Sequence, residues 1–358
     1  VEWLAGNRIR GTSAEKPVTS LQSPSVGGWV EVGRTTLGSA NADILVSSLP
    51  DKRYYMILYA DKGQASNGAD VNIRLNGDTG SNYSYRRCGN GGTDATDVST
   101  SSSYGIWAGS AVQTPIFGVF YLANKSDKEK LWQGNAVTQH TAGAGNDPER
   151  AELVTKWANT SSVVSSITAH GTSNLASGSE VVVLGWDPTD THTTNFWEDL
   201  GTFTNGTTTT DLTITSKKYL WIQGYTKGNG DGSGWRPYLR VGNGTIDAGG
   251  NYAQRESDNG GGDATYTSQV SNALINTGDA VGTFFNVFII NNASNEKLMI
   301  SHASNVATAG AGTAPNRKEM VVKWANTSSQ IDKLQIHRGV GSDSGLDADT
   351  IVKCWGSN

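Results

Sequence analysis

The sequence predicts an all-β protein made of two tandem β-sandwich domains of the same family, each with a jelly-roll-like arrangement of strands. Three observations lead to this prediction. Gly occurs 44 times in the 358 residues and charged residues make up only 17%, below the roughly 25% usual for globular chains, so the composition favours turns and strands over helices. Short apolar runs alternate with turn-forming clusters. Most of the chain is also present twice.

The repeat is clearest where TAGAGNDPERAELVTKWANTSS, beginning at Thr141, returns as TAGAGTAPNRKEMVVKWANTSS, beginning at Thr308. Sixteen of these 22 positions are identical, at an offset of 167 residues. Shorter matches elsewhere have offsets between 165 and 169. A repeat of this length indicates the duplication of a self-sufficient folding unit, and its small length differences are expected in loops.

The matches divide the chain into three parts: an N-terminal arm or linker (1–26), a first sandwich (27–192) and a second sandwich (193–358). The arm has no counterpart in the second copy. The joint at 187–192 reads as a short turn rather than a long flexible tether. Each copy has the length of a domain that can bury its own core.

The predicted strands are the short apolar runs, several of which are apolar on both faces, as in strands that lie between two packed layers. In the first copy these runs are Ile44–Leu49, Tyr54–Tyr59, Ile116–Leu122, Val163–Ile167 and Val181–Trp186. In the second copy they are Leu212–Ile214, Tyr219–Ile222, Phe284–Ile290, Ile331–Ile336 and Thr350–Trp355. Pro148–Trp157 could form a short helix, but in a β-rich chain a strand is favoured.

Two Gly-rich loops, Cys88–Asp94 and its partner Asp258–Asp263, could cradle a ligand with backbone amides. Neither has the Lys-Ser/Thr and following helix of a phosphate-binding loop. A tight β-turn is the favoured interpretation.

One charged signature occurs in both copies and contains the candidate subunit-contact or fold-signature residues. These are Arg150, Glu152, Lys156, Trp157, Arg317, Glu319, Lys323 and Trp324. In a strand, the Arg, Glu and Lys would share one face. That face could contact another subunit or, with the Trp as a stacking surface, a glycan. The favoured alternative is a salt-bridged outer face with the Trp packed inside.

Eleven Trp and 12 Tyr could stack on sugar rings, but most large aromatic side chains are expected in the cores. Three Trp residues have no clear aromatic counterpart in the other copy: Trp107, Trp132 and Trp235. They are the candidate ligand-binding residues.

The net charge of −5 and the absence of a Lys/Arg cluster argue against a nucleic-acid partner. No apolar stretch reaches the roughly 20 residues that span a bilayer, so membrane insertion is not expected. Cys88 and Cys354 are not equivalent in the two copies; two buried thiols are expected, and a bridge between the copies stays open.

Neither a metal site, a cofactor nor a catalytic site is predicted. His170 and His337 lack neighbours at ligand spacing, and the loop 229–234 fails the calcium-loop pattern because Arg240 takes the place of its final Glu. The sequence has no Gly-x-Ser-x-Gly and no His-Glu-x-x-His, which favours a non-enzymatic protein. A pair of carboxylates from distant strands stays an open alternative.

Four motifs together resemble a module of marine viral and environmental proteins, mostly uncharacterised or assigned as virion structural proteins. The motifs are RTTLGSA from Arg34, NGDTGSNY from Asn76, AGAG followed by KWANTS, and EVVVLGWD from Glu180. The resemblance implies a β-sandwich or jelly-roll fold and a place on the virion surface, and it implies no site residues.

Three functions are considered. The first is a non-enzymatic capsid, decoration, spike or fibre protein, forming a symmetric homo-oligomer, contacting other virion proteins and contributing to host attachment, with a host surface glycan as one candidate partner. The second is a secreted or cell-surface carbohydrate-binding protein with two modules. The third is a glycan-active enzyme.

Overall fold

The computed structural model describes residues 28–66, 70–92, 98–109, 114–188, 190, 194–205, 209–228, 236–274, 282–306, 308–338 and 346–358. Every regular element in these ranges is a β-strand. The strands form two β-sandwiches, each with one large and one small antiparallel sheet. The predicted all-β fold class is therefore confirmed. The predicted arm, residues 1–26, lies outside the described residues.

In the described residues, copy 1 contains 12 strands. They are β1 (Val30–Thr36), β2 (Asn41–Val46), β3 (Tyr54–Asp61), β4 (Asp70–Leu75), β5 (Tyr83–Gly89), β6 (Val98–Ser102), β7 (Gly105–Gly109), β8 (Ile116–Ala123), β9 (Lys130–Thr138), β10 (Glu149–Trp157), β11 (Ile167–Leu175) and β12 (Glu180–Trp186). The large sheet has the order β1-β12-β3-β8-β9-β10-β5-β6, and the small sheet has the order β2-β11-β4-β7.

The part of copy 2 that the structure describes contains 14 strands. They are β13 (Glu198–Thr202), β14 (Thr204–Asn205), β15 (Thr209–Thr213), β16 (Tyr219–Thr226), β17 (Pro237–Asn243), β18 (Thr245–Ile246), β19 (Tyr252–Asp258), β20 (Ala264–Gln269), β21 (Asn272–Ala273), β22 (Thr283–Ile290), β23 (Lys297–Asn305), β24 (Asn316–Trp324), β25 (Lys333–Arg338) and β26 (Ile351–Ser357). Its large sheet, β13-β26-β16-β22-β23-β24-β19-β20, repeats the copy 1 order strand for strand.

Each sandwich has its own apolar core between its large and small sheets. In copy 1, Tyr55 and Ile57 of the large sheet meet Ile44 and Ile73 of the small sheet, and none of the four is exposed. Copy 2 has the corresponding cluster, which includes Leu220 and Leu334. The alternation of inward apolar and outward residues along each strand explains why these segments form sheets with a buried inner face.

A third apolar cluster lies between the two large sheets, whose outer faces pack against each other. It joins residues such as Leu58, Val119 and Val182 of copy 1 to residues such as Phe288 and Leu298 of copy 2. The molecule therefore has four layers of sheet. This packing is the reason that strands of the large sheets are apolar on both faces where the two sheets meet, because both faces are covered there.

The residues that the repeat shares most closely stabilise each copy internally. The indole N–H of Trp157 donates to Asp78 at 2.6 Å, and that of Trp324 donates to Asp247 at 2.8 Å. The ammonium group of Lys130 lies 5.7 Å from the ring centre of Trp157 and donates to backbone carbonyls, as does the equivalent Lys297. Both Trp side chains are buried, so the favoured inward position of these rings is confirmed.

Both Gly-rich loops contain a tight Asn-Gly turn, as expected. Asn90 and Gly91 have φ values of 50° and 71°, and Asn259 and Gly260 have values of 52° and 73°. Two successive positive φ values are typical of the turn that matches the twist of a β-hairpin. Residues 93–94 lie outside the described residues.

Two local expectations are settled by the strand bounds. The segment Pro148–Trp157 is a strand, β10, as favoured. The strand expected at Val163–Ile167 is wrong, because β11 begins only at Ile167. The amide N–H groups of Ser165 and Ser166 donate to the side chain of Asn76 instead of to a neighbouring strand.

The two cysteines do not form a disulfide. Cys354 is buried, and burial raises the pKa of its thiol. Cys88 is only half-buried, and its thiol donates to the carbonyl of Gly92 at 2.9 Å. The expectation that both thiols are buried is therefore wrong for Cys88.

Candidate functional site

The outer face of each large sheet carries four rows of cross-strand partners, which position the candidate site. In copy 1, on β3, β8, β9 and β10, row 1 is Ala60, Phe117, Val137 and Arg150; row 2 is Leu58, Val119, Asn135 and Glu152; row 3 is Met56, Tyr121, Gln133 and Val154; row 4 is Tyr54, Ala123, Leu131 and Lys156.

The equivalent strands of copy 2, β16, β22, β23 and β24, carry the same four rows. Row 1 is Tyr225, Phe284, Ser304 and Arg317; row 2 is Gln223, Asn286, His302 and Glu319; row 3 is Trp221, Phe288, Ile300 and Val321; row 4 is Tyr219, Ile290, Leu298 and Lys323. Side chains of one row lie side by side across the sheet because paired residues point to the same face.

The two copies contact each other through different rows. Row 1 of copy 1 is buried, and Phe117 is only 1% exposed. Rows 3 and 4 supply most of the contact from copy 2, where Tyr219 is fully buried and its ring centre lies 6.4 Å from that of Phe117. Rows 3 and 4 of copy 1 are left largely open to solvent, with Leu131 57% exposed.

Charged residues of the repeated signature secure one margin of this contact. Arg150 of copy 1 is buried, and its guanidinium group donates to both carboxylate oxygens of Asp263 in copy 2, at 2.6 and 3.3 Å. It also pairs with Glu152, and its Nη1 lies 3.6 Å from an oxygen of Glu319. A bidentate arginine–carboxylate contact fixes the relative orientation of the two groups and also pairs their charges.

A second polar contact involves the Thr-Ala-Gly-Ala-Gly loop of copy 1, residues 141–145. The buried ammonium group of Lys323 donates to the carbonyls of Gln139 and Thr141. The carboxylate of Glu296 accepts from the Gly143 N–H at 2.6 Å. Both charged groups come from copy 2, so the loop that the repeat preserves best is a contact between the copies.

A cleft of about 400 Å³ opens at the margin where the two copies meet. Its copy 1 wall is formed by neighbouring residues of rows 2 and 3 together with the adjacent strand β5, and copy 2 supplies two side chains. The lining includes Arg86, Tyr121, Gln133, Asn135, Glu152, His302 and Glu319. The cleft therefore offers one half-exposed aromatic ring and six polar side chains, which include both donors and acceptors of hydrogen bonds.

The titratable groups of the cleft are shifted by their surroundings. Burial, with the charges of Arg150 and Arg317, lowers the pKa of His302 to about 4. Burial raises the pKa of the Glu152 carboxyl, although Arg150 opposes this change. At neutral pH the cleft therefore holds a neutral imidazole, and the guanidinium group of Arg150 pairs with the side chain of Glu152 beside it.

The cleft continues into an aromatic groove of about 490 Å³ on the open rows of copy 1. Tyr54 stacks on Trp186 at 5.4 Å between ring centres, and Trp29 contacts both Trp186 and Tyr121. Leu131 and Val154, which are 57% and 50% exposed, complete the groove. Such a concentration of exposed apolar side chains is characteristic of an interaction surface.

The structure brings together four of the eight signature residues predicted from the sequence, at the margin between the copies: Arg150, Glu152, Arg317 and Glu319. Lys323 lies in the same interface, whereas Lys156 is exposed and pairs with Glu129 at 3.5 Å. Trp157 and Trp324 lie inside the cores. The charged face is thus a contact between copies within one chain.

Of the three candidate ligand-binding Trp residues, the described residues place only one side chain. Trp132 is 2% exposed and packs edge-on against Tyr83, so the expectation of an exposed ring is wrong. Its position in β9 points inward because neighbouring Leu131 and Gln133 point outward. Trp107 lies in β7, and its side chain is outside the description, as is the whole of Trp235.

Sequence reasoning did not identify Tyr121, Asn135 or His302 as site residues. Each lies at an outward position of its strand, among both apolar and polar residues. The available signal was a polar or aromatic residue at an outward position, beside apolar outward residues such as Val119, Leu131 and Ile300. Such a residue indicates a site only once the outer faces of the two large sheets are known to pack against each other.

In the described ranges, no group of three or more His, Cys, Asp or Glu side chains is arranged to hold a metal ion. Within the same ranges, no helix has the length and apolar character required to cross a bilayer.

No protein-family model matches the chain, and no curated protein matches it. Solved structures that resemble it include domains LG4-5 of the mouse laminin alpha1 chain, with 11% identity, coverage of 92% of this chain and 88% of that one, and a TM-score of 0.20. Another is the binding domain of botulinum neurotoxin DC in complex with SialylT, with 9% identity, coverage of 84% and 89%, and a TM-score of 0.16. Scores this low carry no argument about fold or function.

Proposed function

We propose that the chain is a carbohydrate-binding protein and that a glycan binds in the cleft between the two copies. The observation that carries the proposal is the chemistry of the cleft. Tyr121 offers a ring face on which a sugar can stack, and planar polar groups such as Gln133, Asn135 and Glu152 surround it. A sugar presents both apolar C–H faces and hydroxyls that donate and accept, so it matches such a combination.

The position of the cleft also supports a binding role. Ligand sites are preferentially formed where two packed units meet, because the margin between them is concave. The cleft walls are strands of two sheets held by the buried Arg150–Asp263 pair, so the backbone that carries its polar side chains is ordered before a ligand arrives. A site that is already ordered loses less conformational entropy on binding.

The test is glycan-array binding followed by titration with the glycan that binds most tightly. Tyr121→Ala should weaken binding about two- to tenfold, since aromatic contacts contribute roughly 0.5–1.5 kcal/mol beyond area burial. Tyr225→Ala is the control, because Tyr225 is a similarly exposed ring, at 41%, outside the cleft.

Two results would contradict the proposal. One is an absence of binding across polysaccharides and host-type glycans. The other is release of reducing ends from a bound glycan, which would make the carboxylates of the cleft catalytic and favour the glycan-active enzyme.

A second candidate function is that of a structural protein on a virion surface. The observation that favours it is the exposure of apolar side chains on the outer faces of both large sheets, such as Leu131 and Phe284, because assembling proteins need such faces. Finding the chain in purified particles in many copies would support this function.

A further inference from the structure

Several equivalent outer-face residues of the two copies differ sharply in exposure, even where they are identical. Leu298 in row 4 of copy 2 is fully buried, whereas Leu131 in row 4 of copy 1 is 57% exposed. Phe117 in row 1 of copy 1 is 1% exposed, whereas Phe284 in row 1 of copy 2 is 48% exposed. Row 1 of copy 1 is thus covered by rows 3 and 4 of copy 2, and the complementary rows stay open.

The polar groups that secure the contact show the same asymmetry. Glu296 and Lys323 of copy 2 bind the loop 141–145 of copy 1. Their identical counterparts in copy 1, Glu129 and Lys156, are exposed. The loop 308–312 of copy 2 has the same Thr-Ala-Gly-Ala-Gly sequence, and every residue in it is exposed.

We propose that copy 2 of one chain binds copy 1 of a second chain by repeating the contact that joins the two copies within a chain. Phe284 would pack on Tyr54 of the second chain, as Phe117 packs on Tyr219. The loop 308–312 would bind Glu129 and Lys156 of the second chain. Because each chain uses a different face at each end, the association is head to tail, and it forms a ring if the rotation closes and a filament if it does not.

The partner is a second copy of this chain because each open face is equivalent to a face that already packs against the other copy within the chain. The described residues include 11 exposed large apolar side chains, and seven of them lie on these faces: Tyr54, Tyr121, Leu131, Val154, Tyr225, Phe284 and Ile351. The first four surround the aromatic groove of copy 1, and the last three cluster along β16, β22 and β26 of copy 2. No other partner is required to explain why both faces are apolar.

The experiment is sedimentation velocity of the full chain over a wide range of concentration. The average mass of the wild-type particles in solution should rise with protein concentration. Leu131→Glu and Phe284→Glu should each keep the mass of one chain, because a carboxylate would be buried in the contact. Leu45→Glu is the control, since Leu45 is 50% exposed on the small sheet of copy 1, and it should associate as wild type does.

A mixture of the two variants separates head-to-tail association from other arrangements. The Leu131 variant keeps an intact copy 2 face and the Phe284 variant keeps an intact copy 1 face, so the equimolar mixture should form dimers and nothing larger. A wild-type chain that stays monomeric, a single variant that still associates, or a mixture that stays monomeric would overturn the proposal.

The inference does not depend on glycan binding, although Tyr121 and Val154 line both surfaces. Glycan binding is therefore measured in the Phe284→Glu chain, which keeps every residue of the cleft. A non-associating wild-type chain that loses glycan binding on Leu131→Glu would assign the groove to a glycan and overturn the self-association.

Discussion

At the scale of single residues, the surroundings of a side chain decide its role more than its identity does. His302 of copy 2 and Asn135 of copy 1 occupy the same row position and both line the cleft. His302 lies close to Arg150 and Arg317, and their charges together with burial lower its pKa to about 4. Protonation of this ring is thus opposed in the folded protein and not in the unfolded chain.

This difference predicts a pH-dependent contribution of His302 to stability. Because its folded pKa lies below its ordinary value of about 6.5, the folded state binds fewer protons, and stability present above pH 6.5 is lost as the pH falls toward 4. His302→Asn should reduce that loss by about 2 kcal/mol, as measured by urea unfolding at neutral pH and near pH 4. Asn is the residue that copy 1 holds at this position. Identical pH profiles of variant and wild type would contradict the prediction.

At the scale of elements, β10 and β24 show how one strand sequence serves two environments. Both end in Lys-Trp, and both Trp rings are buried beneath a lysine–tryptophan contact. On the outer face, Lys156 is 48% exposed while Lys323 is fully buried against carbonyls of the other copy. The inner face is thus fixed by the sandwich, and the outer face depends on what packs against it.

Replacing these two lysines should have very different effects. Lys323→Met leaves the carbonyls of Gln139 and Thr141 and the carboxylate of Glu296 without their cation, which should cost about 2–3 kcal/mol in the free energy of unfolding. Lys156→Met should change it by no more than about 0.5 kcal/mol, as surface substitutions usually do. The free energies of unfolding of both variants are compared by chemical denaturation in the Phe284→Glu background, which is expected not to self-associate. Equal losses of unfolding free energy would mean that the buried Lys323 contributes no more to stability than the exposed Lys156 does.

At the scale of the whole molecule, four layers of sheet share three apolar clusters, and the middle cluster belongs to neither copy alone. Residues such as Leu58 of copy 1 are buried in this cluster beside residues such as Phe288 of copy 2. Separating the copies would expose this surface to water, which is unfavourable in proportion to its apolar area. The two sandwiches are therefore expected to unfold together.

A single calorimetric transition is the expected result for the wild-type chain. Leu298→Glu places a carboxylate in the middle cluster and should split the transition into two, one for each sandwich. Leu131→Glu introduces the same change at the equivalent, exposed position and should keep one transition. Two separated transitions in the wild-type chain would show that the copies are not coupled.

Much of the fold could be predicted from the sequence because it depends on local information. The apolar runs Ile44–Val46 and Tyr54–Tyr59 and the Asn-Gly turns each depend on a few neighbouring residues, and the repeat is found by comparing the sequence with itself. The strand that was wrong, Val163–Ile167, failed because Asn76, distant in the chain, binds its backbone. The inward position of Trp132 was missed because alternation along β9 was not used to orient it.

The sequence by itself determined that the chain holds two all-β sandwiches, which residues fill their cores, and that Arg150, Glu152 and their counterparts share one outward face. Only the tertiary structure decided that the outer faces pack on each other, and with an offset that buries Phe117 but exposes Phe284. The physical reason is that identical segments carry identical local preferences. Their exposure differs because contact between distant strands, and not the segment itself, determines which face is covered.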